Sequence, residues 1–204
     1  MGGFWKELKY QLRYRLPIWL VGLLTNWWPH NRITIKVRGA MVRPFFKKCG
    51  RNFQLSENVI FCNPHKIEIG NDVYIAPGAW LNGLGGIVIE DEVKISPYVI
   101  IETCIHTFKD NSVRFGGSVV EPIRIGRGSW LASHALVRAG VTIGSGVLVA
   151  GNAAVVKDVP DNVMVGGVPA KVLGERREKD PSKIIHGRYV DDRDTKHQPE
   201  KQPG

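Results

Sequence analysis

The side chains best suited to proton transfer near neutral pH are six histidines: His30, His65, His106, His134, His186 and His197. An imidazole can take the proton of a hydroxyl as that hydroxyl attacks an electrophile, a reaction that a neutral alcohol performs poorly unaided. Three cysteines, Cys49, Cys62 and Cys104, form no Cys-x-x-Cys pair. Their odd number and scattered placement argue against a disulfide framework or structural zinc, and for a reducing compartment. Cys104 stands two residues before His106. On an extended strand both side chains project to one face, so a Cys–His acyl-enzyme is one alternative chemistry. A zinc hydratase is another, but it needs several ligating histidines, two of them close in sequence, and His106 and His134 have no near neighbour.

What singles out His106 is its place in a repeat. Beginning at Ile125, a branched aliphatic residue recurs at every sixth position: Ile125, Leu131, Val137, Ile143, Val149 and Val155. A second register runs through Ser129, Ala135, Val141, Val147, Ala153 and Val159, all small or aliphatic. With 43% apolar residues, six preset positions would all be apolar by chance in about 0.006 of cases. A period of six fits neither an α-helix nor a plain two-residue alternation. It fits a solenoid in which each unit is a short strand plus a corner.

The register also appears earlier: Ile69, Ile75 and Leu81, then two extra residues, then Ile89, Ile95 and Ile101, with Val73, Ala79, Val93, Val99 and Ile105 as companions. Both sets are expected to face inward. Gly70, Gly126 and Gly144 directly follow their aliphatics, at corners expected to need unusual backbone angles. His106 closes a regular coil just before Thr107 to Val119, a non-periodic loop long enough to fold over a substrate. Each coil covers only its neighbours, so both ends need caps.

The chain divides into an arm (1–54), a repeat domain (55–174, with loop 107–119) and a charged tail (175–204) expected to be partly disordered. The arm holds eleven Lys and Arg against one acid, Glu7, and so carries more than the whole net charge of +9. It also holds four of six tryptophans: Trp5, Trp19, Trp27 and Trp28. Phe4 to Arg15 reads as an amphipathic helix that Pro17 kinks or restarts. Residues 1–28 suit an anionic membrane surface; alternatively Trp19, Leu20, Leu23 and Leu24 cap the open end of the solenoid. The aromatics form no stacking series between basic residues, so nucleic acid is not the expected partner. No stretch has the apolar length of a membrane span, and none reads as a signal peptide. A cytoplasmic location is the expectation, with or without peripheral contact at the inner face of the membrane.

Ile125 to Leu173 resembles the C-terminal half of hexapeptide-repeat acetyltransferases, the branch with maltose, galactoside and exopolysaccharide O-acetyltransferases. The matching elements are the Trp130 coil, Gly-Val-Thr-Ile-Gly (140–144), Val-Lys-Asp-Val-Pro (156–160) and Gly-Gly-Val-Pro-Ala-Lys (166–171). The resemblance spans about residues 55 to 175. It implies an all-β fold, a left-handed parallel β-helix with a helical N-terminal arm and a polar C-terminal tail. It further implies a homotrimer with active sites between subunits, acetyl-CoA as donor, no metal, and direct transfer to a hydroxyl in a ternary complex.

The context Ile-Ile-Glu-Thr-Cys-Ile-His resembles the place where the family carries its catalytic histidine, which implies His106 as the expected general base. Asn82 is similar to an asparagine that bonds the acceptor, although Asn-Gly is also a simple turn pair. The acidic residue that often follows shortly is replaced here by Gly-Leu-Gly-Gly-Ile-Val (83–88). Trp130 would line the acceptor or pantetheine channel, or cover a subunit seam. Ser133, Ala150, Lys157, Lys171 and Arg176 are the family-like contacts for coenzyme A, each lysine being equally readable as a solvated charge. The expected function is O-acetylation of a carbohydrate hydroxyl, on a surface glycan, an exopolysaccharide or its lipid-linked precursor. The alternatives are an acetyltransferase for serine, an amino sugar or an antibiotic hydroxyl, and a non-catalytic trimeric β-helix.

Overall fold

A computed structural model of the chain describes residues 2–176. Of the segment read as a tail, only Glu175 and Arg176 fall among the described residues; the disorder expected there lies outside them.

Three helices come first: α1 (Gly2–Tyr10), α2 (Leu16–Thr25) and α3 (Arg32–Val42). Between α1 and α2 the backbone stays helical through a π-helical turn, Gln11–Arg15. Pro17 lies in the first turn of α2 and has no N–H to offer the helical turn before it. The helix does not stop there: Arg15 and Leu16 keep right-handed helical backbone, and the Leu16 N–H bonds Gln11 O. Asn31 opens α3 with a capping box: its side chain accepts from the N–H groups of Ile33 and Thr34, and the Thr34 hydroxyl accepts from the Asn31 N–H.

From Lys48 the chain winds into a parallel β-helix of about six turns with three faces. The first face stacks Lys48–Cys49, Ile67–Ile69, Ile87–Ile89, Ile123–Ile125 and Thr142–Ile143. The second stacks Gln54–Leu55, Tyr74–Ile75, Lys94–Ile95, Trp130–Leu131, Leu148–Val149 and Val163–Gly166. The third stacks Ile60–Cys62, Trp80–Asn82, Ile100–Glu102, Leu136–Arg138 and Ala154–Val155. Lys171–Glu175 then folds back antiparallel on Val163–Gly166 and closes that end of the second face. Gln54, Tyr74 and Lys94 are register partners, as are Trp130 and Leu148. Early turns therefore take twenty residues, later ones eighteen and the last sixteen (Leu148 to Met164), and the surplus pair after Leu81 is one instance of the twenty-residue turn.

The inward columns are the expected ones. Ile69, Ile75, Leu81, Ile89, Ile95, Ile101, Ile125, Leu131, Val137, Ile143, Val149 and Val155 are all at most 1% exposed. Burying each such side chain stabilises the fold by about 1.5–3 kcal/mol relative to exposure. Ile105 departs from its expected inward position: it is half-buried on a hairpin, and Thr103 is the last inward residue before the chain leaves the coil.

The corner glycines serve a different purpose from the one their spacing suggested. Gly70, Gly126 and Gly144 do not have positive φ; the left-handed residues lie two positions on, at Asp72, Gly128 and Gly146. A Cβ on Gly126 would lie 2.5 Å from the Gly144 carbonyl carbon. Close approach of successive coils excludes the side chain, not the backbone angle.

Trp19, Leu20, Leu23 and Leu24 do not cap the solenoid, being 60%, 41%, 49% and 62% exposed. The opposite side of α2 does so, through Val21 and Thr25, together with Ile35, Arg38 and Val42 of α3. Arg38 is only 2% exposed. Its guanidinium donates to Thr25 Oγ1 (3.0 Å), Thr25 O (2.9 Å) and Leu55 O (2.9 Å), tying both helices to the first coil. Burial pulls its pKa below the usual arginine value, and Glu57 at 3.8 Å opposes that shift.

Gly126→Ala should destabilise the protein by about 1–3 kcal/mol through overpacking. Gly128→Asn should be near neutral, since no atom lies within 4 Å of its Cβ position and Asn tolerates the left-handed region. Thermal unfolding of the two variants checks the contrast.

Candidate active site

The middle residues of the third-face strands, Phe61, Leu81, Ile101 and Val137, point inward. The flanking residues therefore form two outward columns. One is apolar: Ile60, Trp80, Ile100, Leu136 and Ala154 are successive register partners. The other is polar: Cys62, Asn82, Glu102 and Arg138.

The polar column is cross-linked. Asn82 Nδ2 donates to Glu102 Oε1 at 2.7 Å, and the same oxygen accepts the Cys104 N–H at 3.0 Å. Asn82 Oδ1 accepts the Leu84 N–H at 3.2 Å and faces Asn63 Nδ2 at 3.5 Å. Buried Thr103 donates to Asn82 O (2.6 Å) and accepts the Gly85 N–H (2.8 Å), turning the chain off the prism.

The excursion begins three residues before the expected loop. Cys104–His106 pairs antiparallel with Ser118–Val120, and the Glu121 N–H returns to Thr103 O at 3.0 Å. His106 is thus on the outgoing strand of a hairpin whose tip exposes Phe108 and Phe115. Its ring is exposed, with Nδ1 3.0 Å from Ser118 Oγ. When Nδ1 donates to that hydroxyl, the Nε2 lone pair is left to act as a base. The ring's hydrogen-bond partner is Ser118 rather than the Cys104 thiol.

The arm reaches this column from the other side. The Asn63 N–H donates to the Tyr10 hydroxyl at 3.0 Å, and Tyr14 stacks on His65 with centroids 4.7 Å apart. Burial first, then Lys66, holds the His65 imidazole below its ordinary pKa, and its Nδ1 is buried without a partner. Arg15 donates to Phe61 O at 3.4 Å and approaches Cys62 Sγ at 3.5 Å.

Of the sequence-derived site residues, Asn82 and His106 belong to the third face and its hairpin. Trp130 is on the second face, 46% exposed, with Nε1 donating to Ser96 Oγ at 2.8 Å. Ser133, Ala150 and exposed Lys171 share the corner between the second and third faces, where the Asn152 N–H bonds Ser133 O and the Ala154 N–H bonds Gly167 O. That corner has small residues beside accessible backbone and one cation, which suits an extended ligand ending in phosphate. Exposed Lys157 follows the third-face strand at the next corner, and Arg176 bonds Asn162 O at the remaining one. The five proposed cofactor contacts therefore occupy three different corners of one chain.

Sequence reasoning missed Ser118 and Glu102. Ser118 lies inside the non-periodic stretch, where spacing carries no signal. Glu102 was findable, since the twenty-residue turn places it beside Asn82. Among the described residues no group of three or more His, Cys, Asp or Glu could hold a metal ion.

No protein-family model matches the chain. It is 31% identical over 147 residues to a protein of Escherichia coli named putative colanic acid biosynthesis acetyltransferase WcaF, covering 72% of this chain and 79% of that protein. It is 29% identical over 146 residues to the galactoside O-acetyltransferase of Escherichia coli, covering 72% of each. Among solved structures, a hexapeptide-repeat acetyltransferase of Vibrio cholerae complexed with acetyl coenzyme A superposes with a TM-score of 0.70 at 25% identity, covering 81% of this chain and 88% of that one.

Proposed function

This chain belongs to the hexapeptide-repeat acetyltransferases, and from that premise we propose that it transfers acetyl from acetyl-CoA to a carbohydrate hydroxyl with His106 as general base. The observation that carries this reading is the exposed imidazole at the rim of the Asn82 column, with Nδ1 on Ser118 and Nε2 open. Acetyl-CoA, when bound, supplies an acetyl thioester. His106 Nε2 takes the proton of the attacking hydroxyl, Ser118 Oγ holds Nδ1–H and so fixes the tautomer, and the imidazolium returns the proton to the departing sulfur. Relatives named for a galactoside and for colanic acid biosynthesis support a carbohydrate acceptor and a place in surface-glycan synthesis.

Ser133, Ala150 and Lys171 are the preferred donor contacts because they share a corner. Lys157, Arg176 and Trp130 join them if neighbouring protomers approach one another. A homotrimer would bring the second face of one protomer, with Trp130, to the third face of the next, with Asn82 and His106. The apolar column of Ile60, Trp80 and Ile100, each 38–44% exposed, supports such packing.

The arm is proposed to hold the enzyme at an anionic membrane surface, near a lipid-linked acceptor. No described helix is long and apolar enough to cross a membrane. Trp5, Trp19 and Trp27 are 59%, 60% and 85% exposed, close to Lys6, Lys9, Arg13 and Arg15 in sequence, which suits insertion at the headgroup level.

Thiol release from acetyl-CoA across a panel of sugar acceptors tests the chemistry. His106→Ala should lose about two to four decades in kcat, as expected for a removed general base. Ser118→Ala should lose about tenfold, in keeping with a lost tautomer-fixing bond, and Cys104→Ala should keep full activity. A His106→Ala variant with wild-type turnover would sink the base assignment.

Sedimentation should give three times the 22.7 kDa chain mass, and Trp80→Glu with Ile100→Glu should give monomers without activity. Replacing Trp5, Trp19 and Trp27 by Ser should weaken binding to anionic vesicles by about tenfold or more, with turnover on soluble acceptors unchanged. Undiminished vesicle binding would remove the membrane role.

A further inference from the structure

We propose that Glu102 is the positioning residue of this site: its carboxylate fixes the orientation of the Asn82 amide and anchors the root of the hairpin that carries His106. The inference rests on His106 acting as the base. One oxygen, Oε1, takes both the Asn82 Nδ2 bond (2.7 Å) and the Cys104 N–H bond (3.0 Å).

These bonds leave Asn82 a single orientation. Its Oδ1 faces the Leu84 N–H, a donor, and its Nδ2 faces a carboxylate, an acceptor. Turning the amide over would set oxygen against oxygen and N–H against N–H, replacing two attractive contacts by two repulsive ones. Glu102 therefore decides which amide group Asn82 offers an incoming hydroxyl: the second Nδ2 hydrogen, a donor. An oxygen that attacks through its lone pair while His106 holds its proton is suited to such a donor at its other lone pair.

The second bond concerns distance. At Thr103 the chain abandons the parallel ladder, and the first backbone N–H beyond it is that of Cys104. Glu102 supplies the acceptor for that N–H, tying the start of Cys104–His106 to the same atom that holds Asn82. The charge makes both bonds stronger than neutral ones. Asn82 and His106 thus share one anchor, although they belong to different elements, a coil and a hairpin.

The test uses the full chain, with steady-state kinetics in both substrates. Glu102→Ala should lower kcat/KM for the acceptor by about 30- to 100-fold, as for a catalytic group displaced by about an ångström. The KM for acetyl-CoA should move less than about twofold, because the donor contacts lie on another corner. Glu102→Gln should stay within about fivefold of wild type, since its amide oxygen can accept the same two N–H groups without the charge. The double variant Asn82→Ala with Glu102→Ala should be no worse than the worse single variant, as for two groups acting as one unit.

Glu102→Met keeps the bulk without an acceptor and should reproduce the loss seen in Glu102→Ala. The proposal is overturned if a folded Ala or Met variant keeps kcat/KM within about twofold, if Gln is as damaged as Ala, or if losses multiply in the double variant. Loss of fold in both Ala and Met would make Glu102 a structural group and overturn it equally. His106→Ala is run beside them. An inactive His106→Ala with an active Glu102→Ala defeats only this inference, whereas an active His106→Ala defeats the base assignment beneath it.

Discussion

The backbone coils of this protein stack so closely that each one's inner side chains are covered only by the coil above and the coil below. Everything else depends on that contact. It forces an aliphatic residue inward at every sixth position, and it strips the side chain from Gly126, whose Cβ would run into the Gly144 backbone. It also leaves the two ends of the stack as the places where the pattern has to change. At one end an antiparallel strand, Lys171–Glu175, folds over the second face. At the other, α2 and α3 close the prism, and buried Arg38 joins them to Leu55 through hydrogen bonds to backbone oxygens and to Thr25.

A stack this regular offers its surface as columns, and the chemistry is arranged in columns. On the third face an apolar row stands beside a polar one, because both flanking residues of each three-residue strand face outward. The polar row becomes a site only where the chain steps out of the coil. Thr103 remains buried and binds backward to Asn82 and Gly85, so the hairpin leaves from a fixed point and not from a slack loop. Its two strands then set His106 opposite Ser118. His106 is thus carried by a local departure from the repeat, and the repeat supplies the rigidity that makes the departure reproducible.

The arm has two sides that composition alone could not separate. One side of the helical run packs on the coil through Val21, Thr25 and the Tyr14–His65 stack. The other side presents tryptophans and leucines outward among basic residues. A hydrogen bond from Asn63 to Tyr10, and the approach of Asn63 to Asn82, bring α1 to the edge of the polar column. The arm and the polar column are therefore neighbours in space.

The six-residue period by itself determined the solenoid, its inward columns and the interruption beside His106, because stacking energy depends on residue type at fixed spacing and so leaves a direct trace in the chain. The likeness of residues 125–173 to hexapeptide-repeat acetyltransferases fixed the class of reaction. Only the tertiary structure decided that Ile105 leaves the core, that Trp130 and Asn82 stand on different faces, and that Lys157, Lys171 and Arg176 lie at three corners. Only it paired His106 with Ser118 across a hairpin and joined Asn82 to Cys104 through Glu102. Those relations depend on which residues become neighbours across coils and on where one strand turns away, and a periodic sequence does not encode either at the positions where its period fails.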